Sequence, residues 1–193
     1  QIFLEISTQL RHEQLLKDGA GVVKAALRGD DGTVYYAELG GANAGDLSMQ
    51  ELAGNETEEP FLHAFSIKPE AKALLLLSGT YALSIADQMD SLTAELDDMA
   101  QIVGLTARVA KSLSESELKR CLKNRNSCFV RGQGMLLTGR AASEAVTGAI
   151  LLEKAAMTHI LAKQIGGAKR VPLFSAALMH LIYQKKYSKI NLN

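Results

Sequence analysis

The chain has 193 residues, of which 47% are hydrophobic, enough for a substantial core but too few for two comfortable domains. We therefore predict a single domain over residues 1–193. The 21 acidic and 21 basic side chains balance, so no overall field attracts nucleic acid or an anionic membrane. Small molecules and other proteins remain as partners.

Neither a signal peptide nor a run of about eighteen apolar residues is visible in the sequence. The apolar stretch 73–86 is too short to span a bilayer and is interrupted by Ser, Gly and Thr. We therefore expect a soluble, cytoplasmic protein without membrane contact. Cys121 and Cys128 could pair, but a cytosolic chain without further cysteine ligands favours two free structural thiols.

The first forty residues predict a helix and a hairpin. Apolar residues at helical spacing run from Ile2 to Leu16. Two runs rich in Val and Tyr follow, at 22–27 and 33–39, and the turn 29–32 between them indicates an antiparallel pair. The sheet is therefore not expected to be wholly parallel.

A glycine-rich loop and a helix follow the hairpin. Gly40 and Gly41 begin a run of free backbone amides that could form an anion-binding nest, although a plain connection is the commoner role of such loops. Residues 56–65 predict a helix with Glu58 and Glu59 in its first turn, where the helix dipole favours acids. His63 lies on the same helix, where packing or a surface hydrogen bond is its default role and a pocket role is the alternative.

The middle of the chain predicts a buried strand at 73–77 that leads into a helix starting near Thr80. Residues 99–109 form a mixed apolar run broken by Gly104, which predicts one or two strands. Ser114 and Glu117 have the spacing of a capping box, which predicts a helix through Leu122.

Residues 124–167 carry the clearest pattern. Two apolar strands, 127–130 and 135–137, flank the corner 132–134, where two glycines permit a close backbone approach. A long helix with a stripe of small residues follows, which predicts close packing on the sheet, and a glycine pair ends it. A last apolar helix spans 173–183. Together these elements predict an α/β protein with a mixed, mostly antiparallel sheet.

Two stretches resemble the class II aldolase/adducin family. One runs from Phe129 to Gly139 and continues through Ser143-Glu144-Ala145 and 152–156; the other is 69–82, where Tyr81-Ala82 fixes the alignment. The resemblance implies a three-layer α/β/α, class II aldolase-like fold. It also implies a homo-oligomer, a ring of four with the cleft between neighbouring subunits.

The catalytic members of this family hold zinc with three histidines, and the resemblance places those positions at Leu76, Ser78 and Gln133. Zinc there stabilises the enediolate formed when a sugar phosphate is cleaved. None of the three residues replaces an imidazole, so we expect no metal and no cofactor. The four histidines of the chain, His12, His63, His159 and His180, fall on separate predicted helices without the spacing of a metal site.

The resemblance also implies a phosphate subsite and a catalytic acid. The family binds phosphate with an Asn and a Ser on its first strand, and residues 21–24 lack both. The family's general acid or base stands at the start of the helix that here carries Glu58 and Glu59. Either could be the equivalent, and solvated acids at a helix start are the alternative.

Two hypotheses about function follow. The first is a non-catalytic binding or oligomerisation domain that keeps the fold without the zinc site. The second is a metal-independent enzyme or binder for a small sugar phosphate or similar anion in a rebuilt cleft. That cleft would use Gln133, Gly132, Ser78 and His63, a carboxylate from Glu58 or Glu59, and the loop at Gly40 and Gly41. We favour the first, because three metal ligands and two phosphate ligands are lost together.

Overall fold

The structure, a computed structural model, describes residues 1–16, 22–40, 49–52 and 59–187. It contains helices and strands in alternation, as predicted, and one π-helical segment, Met99–Val103. The helices are α1 (Ile2–His12), α2 (Glu59–Ile67), α3 (Thr80–Gln88), α4 (Glu115–Leu122), α5 (Ala142–Gln164) and α6 (Leu173–Tyr187). The strands are β1 (Val22–Arg28), β2 (Val34–Gly40), β3 (Gln50–Glu51), β4 (Ala73–Leu77), β5 (Ser91–Thr93), β6 (Thr106–Ala110), β7 (Ser127–Val130) and β8 (Gly134–Gly139).

The strands form one open sheet of eight, in the order β3-β2-β1-β4-β8-β7-β6-β5. The β6 and β7 strands pair in parallel, and the other neighbouring pairs are antiparallel. The β1–β2 hairpin and the β7–β8 hairpin account for two of these pairs. The mixed, mostly antiparallel α/β sheet predicted from the sequence is confirmed.

Both faces of the sheet are covered, which makes three layers. Strand β4 is buried along its whole length, and its side chains alternate between two cores. Leu75 and Leu77 pack with residues of α1, α3 and α5, and we call this side the α5 face. Leu74 and Leu76 pack with residues of α2 and α4 on the other side, which we call the α2 face.

Helix α5 lies close on the sheet because its buried stripe is made mostly of small residues. Ala145, Ala149 and Ala156 are buried, and a Cβ added at Gly148 would lie 3.5 Å from Leu137 Cδ1. Within the described ranges, α5 is the one helix long and apolar enough to cross a membrane by length and composition. A helix from a protein core passes the same test, and the buried stripe of α5 is of that kind.

Two local predictions are wrong. Residues 99–103 form a π-helical segment rather than a strand, closed by a hydrogen bond from the Gly104 N–H to the Met99 carbonyl. Only Thr106–Ala110 is a strand there. The capping box before α4 is also absent, because the Glu117 carboxylate turns away to accept a hydrogen bond of 2.7 Å from the Lys111 N–H.

Candidate functional site

The site predicted from the sequence lies where β4 ends and β8 begins. Ser78 follows the last residue of β4 and is exposed. Gly134 opens β8 beside it with φ of +101°, and an added Cβ would collide with the Leu77 carbonyl and lie 2.7 Å from Ser78 Cα. Only glycine allows this contact without strain. The structure therefore brings Ser78 next to the corner that carries Gly132 and Gln133.

The corner is fixed to the carboxyl end of α3. Arg131 donates from Nε to the Ala86 carbonyl, 3.2 Å away, and from Nη2 to the Met89 carbonyl, 3.1 Å away. The Gly132 N–H donates to Asp87 Oδ1 over 2.9 Å. The Arg131 cation thus satisfies carbonyls at the negative end of the α3 dipole. The corner is held in place while the Gln133 side chain stays exposed.

The amino end of α3 directly follows Ser78, and it is already occupied by a carboxylate of the chain. Glu153 on α5 accepts hydrogen bonds from the N–H groups of Tyr81, at 2.9 Å, and Ala82, at 2.8 Å. Gly79 leaves room for this carboxylate, since an added Cβ would collide with Glu153 Oε2. A free helix terminus could bind phosphate. Here Glu153 takes the place of an external anion.

The residues at the implied metal positions do not fit zinc. Leu76 has no donor atom and is packed into the α2 face with 5% of its surface exposed. Ser78 offers a hydroxyl and Gln133 an amide oxygen, whereas zinc in proteins prefers imidazole, thiolate and carboxylate. In the described ranges, no group of three or more His, Cys, Asp or Glu side chains could hold a metal ion.

The histidines are dispersed, each with a local partner. His12 Nδ1 lies 3.1 Å from Glu13, and His180 Nδ1 lies 2.8 Å from the Gln101 carbonyl. The other two contact Glu59 and Glu95, as described below.

Lys24, which lies beside Leu76, forms a charged pair with Glu38 that the sequence did not identify. Lys24 on β1 is opposite Leu76 on one side and Glu38 on the other. Lys24 Nζ is 3.9 Å from Glu38 Oε1, and the Tyr36 hydroxyl donates to the same oxygen over 2.7 Å. Neighbours in register project to the same face. Polar side chains from two strands therefore extend the α2 face toward Ser78.

Helix α2 begins at the same end of the sheet. Arg28 lies over the Phe65 ring, 4.3 Å from its centroid, and one turn earlier Phe61 packs edge-on against Tyr36 at 5.5 Å. Tyr36 pairs with Ala26, which lies between Arg28 and Lys24 on β1. Going back one turn along α2, from Phe65 to Phe61, therefore moves along β1 from Arg28 toward Lys24. The first turn of α2 therefore lies at the end of the sheet that carries Lys24 and Ser78.

The remaining candidates are placed as follows. Glu59 is the exposed first residue of α2, and its Oε1 is 3.7 Å from His63 Nε2. His63 Nδ1 is buried and has no hydrogen-bond partner in the part of the chain that is described. Gly40 ends β2 with φ of +110° and pairs with Val22. Glu58 and Gly41 lie outside the described residues.

The fold defines a class: an open, mixed α/β sheet with helices on both faces. The family described as Class II Aldolase and Adducin N-terminal domain matches residues 5–160. The chain therefore belongs to the class II aldolase/adducin family.

Solved structures agree with this assignment. An L-fuculose 1-phosphate aldolase superimposes with a TM-score of 0.76 at 16% identity, covering 96% of this chain and 93% of that chain. The L-fuculose-1-phosphate aldolase of Thermus thermophilus gives 0.68 at 18% identity, covering 89% and 97%. An aldolase II superfamily protein of Pseudomonas syringae gives 0.71 at 12%, covering 100% and 84%. At these identities the similarity establishes the fold. A search of the curated proteins gives no match.

Proposed function

We propose that this chain is a class II aldolase-like domain that acts by binding and self-association rather than by zinc-dependent aldol cleavage. One observation carries the proposal: Leu76, Ser78 and Gln133 stand where the family resemblance implies zinc-binding imidazoles. Leu76 is the decisive residue of the three, because its side chain fills the hydrophobic core of the α2 face instead of pointing a donor at a ligand.

Loss of a single ligand could change the preferred metal without ending metal chemistry. Here an alkyl group, a hydroxyl and an amide replace three imidazoles, and an amide oxygen and a hydroxyl are weak ligands for zinc. The Glu153 carboxylate at the start of α3 adds negative charge beside Ser78, where a phosphate would otherwise find free N–H groups. The weak ligands disfavour a bound zinc ion, and the Glu153 carboxylate disfavours a bound phosphate at this point.

Helix α6 supports self-association. Its side chains Leu173 and Phe174 are 69% and 81% exposed, and Leu178, Leu181 and Ile182 are also exposed. A helix that is apolar on most of its surface is normally buried, and contiguous exposed apolar area marks an interaction surface. A second copy of the chain would cover this surface in a cytoplasmic homo-oligomer. By analogy with the family, we propose a tetramer.

Metal content and cleavage activity test the first part of the proposal. Protein purified without chelator should contain far less than one zinc per chain and should not cleave L-fuculose 1-phosphate. The same assay with added zinc should give the same result. Stoichiometric zinc together with aldol cleavage would refute the proposal.

Light scattering tests the second part. The wild type should be an oligomer, and Phe174→Glu should shift it to smaller species, because a charge in an apolar contact is costly. Leu4→Glu is the matched control, since Leu4 is 57% exposed on α1 and lies outside the α6 surface. A monomeric wild type at high concentration, or equal effects of both variants, would contradict self-association through α6.

The rebuilt-cleft alternative has one supporting observation, the Lys24 ammonium beside Leu76 at the end that carries Ser78 and Gln133. It predicts metal-independent binding of sugar phosphates that Lys24→Met weakens. Lys72→Met is the control, because Lys72 pairs with Asp30 at the opposite end of β4. Binding that depends on Lys24 but not on Lys72 would favour the alternative over the non-catalytic assembly.

A further inference from the structure

A cavity of about 340 Å³ lies between α3 and α5, on the α5 face of the sheet. Neither Ser78 nor Gln133 lines it. Ile85 and Ile160 contribute apolar wall. Five polar side chains also line it: Ser84 and Gln88 from α3, and His159, Lys163 and Gln164 from α5. Residues four apart on a helix are neighbours, so each helix presents a polar pair to the same space. Apolar walls with a few polar groups are typical of a small-molecule site.

The His159 ring is held in a defined orientation. Its Nδ1 lies 2.9 Å from Glu95 Oε1, and the Glu95 side chain is only 8% exposed. A carboxylate oxygen accepts, so Nδ1 is the donor in this contact, and in the matching neutral tautomer Nε2 is left as an acceptor. Nε2 has no hydrogen-bond partner among the described side chains and backbone groups. His159 therefore offers an oriented acceptor to the cavity it lines.

The Glu95 carboxylate, which orients His159, lowers the stability of the fold. Glu95 Oε2 is buried without a hydrogen-bond partner in the described ranges. Burying an unsatisfied carboxylate oxygen opposes folding, and an uncharged side chain would fill the same volume at lower cost. Packing alone does not account for a glutamate at this position. The contact with His159 accounts for this glutamate, because it fixes the tautomer and the direction of the His159 ring.

Lys163 supplies the second polar group. It is exposed one turn beyond His159, lines the cavity, and makes no ion pair within the described parts of the chain. Side chains four apart on a helix start about 5 to 6 Å from each other. One small molecule can therefore reach both groups if it carries a hydrogen-bond donor and an anion on a short carbon chain.

We propose that this cavity binds a small hydroxy acid. The hydroxyl donates to His159 Nε2, the carboxylate binds the Lys163 ammonium, and the carbon chain packs on Ile85 and Ile160. Ser84 and Gln88 provide polar contacts from the opposite wall. The cavity is lined by no residue of α6 and by neither Ser78 nor Gln133, so this binding is independent of the proposed self-association and of the rebuilt-cleft alternative.

Glycerate is the probe, and an NMR titration that follows the methyl groups of Ile85 and Ile160 is the measurement. We expect saturable shifts with a dissociation constant of about 1 mM, given the small size of the ligand. Propionate lacks both hydroxyls of glycerate and glycerol lacks the carboxylate, so each should bind at least about fivefold more weakly.

Lys163→Met should raise the dissociation constant about tenfold, since it removes the charge that holds the carboxylate. The side chain is exposed, so the variant should fold. Lys169→Met is the matched control, because it removes an exposed lysine outside the cavity and should bind like the wild type. His159→Gln should also weaken binding, but it can destabilise the fold by leaving Glu95 unpaired, so Lys163→Met is decisive. Absence of methyl shifts in the wild type, equal weakening by both lysine variants, or equal binding of glycerate and propionate would overturn the proposal.

Discussion

Glu153 accepts a hydrogen bond of 2.9 Å from the backbone N–H of Tyr81, across 72 residues of sequence. Its second carboxylate oxygen accepts from the next N–H, that of Ala82. A residue in the middle of the longest described helix thus caps the start of another. Helix α3 has no side-chain cap from its own N-cap residue, Gly79, so Glu153 supplies the missing acceptor.

Replacing this carboxylate should destabilise the protein. Glu153→Gln keeps the volume but places an N–H₂ group against a backbone donor and removes a charge favoured by the helix dipole. We expect the free energy of unfolding to fall by about 1 to 2 kcal/mol. Urea denaturation measures it. Lys154→Gln is the control, since this exposed neighbour lies 3.7 Å from Asp98 in a solvated pair. Equal losses for both variants would contradict the capping role.

Gly134 and Gly132 allow a matched test of the corner. Both have positive φ, but a Cβ at Gly134 meets the backbone of Leu77 and Ser78, whereas nothing lies within 4 Å of one at Gly132. Gly132→Ala should cost only conformational strain, about 1 kcal/mol. Gly134→Ala should cost about 2 kcal/mol more, because the strands must also separate. Thermal unfolding of the two variants measures the difference, and similar losses would disprove the close contact.

The pKa of Glu117 predicts a pH effect on stability. Hydrogen bonds from Arg120, and then from the Lys111 N–H, lower this pKa from its ordinary value of 4.5 to about 2. The folded state therefore binds the proton less readily than the unfolded state. The resulting stabilisation is present above pH 4.5 and is lost as the pH falls toward 2.

Glu117→Gln should accordingly be less stable than the wild type at pH 7 by up to about 1 kcal/mol, the range of a solvated ion pair. The difference should shrink as the pH falls below 4.5. Urea unfolding at a series of pH values tests this. Glu115→Gln is the control in the same helical turn. A Glu117→Gln difference that stays constant down to low pH would contradict the lowered pKa.

Cys121 and Cys128 should be unreactive in the native protein. Both are free and buried, and burial raises the pKa of each thiol above its ordinary value of 9.0. Because the thiolate is the reactive form, a disulfide-exchange reagent at pH 8 should label neither quickly. After denaturation in guanidinium both should react. Rapid labelling of the native protein would contradict the packing of α4 on β7.

The sequence predicted what depends on local periodicity. Alternation and the turn 29–32 gave the β1–β2 hairpin, and the small residues of α5 gave its close packing on the sheet. The stretch 99–103 was misassigned because a short, mostly apolar run fits a strand as well as a helical turn. Pairs such as Lys24 with Glu38 or Glu95 with His159 could not be predicted, since they depend on sheet register and on contacts between distant segments.

The placement of Gln133 beside Ser78 could be predicted only in part. Each residue was identified from its own motif, but their proximity comes from β8 pairing with β4 and from the missing Cβ of Gly134. The Arg131 anchor on α3 gave no sequence signal, because backbone carbonyls, which every residue has, are its partners.

The order of strands also affects how the chain folds during synthesis. Strand β8 fills the space between β4 and β7, so the apolar strand Ala73–Leu77 keeps an unpaired edge until residues 134–139 leave the ribosome. A nascent chain that stops before Gly134 exposes five consecutive buried positions on an open edge. Such truncated chains should aggregate or recruit chaperones, and release of β8 from the ribosome ends that exposure.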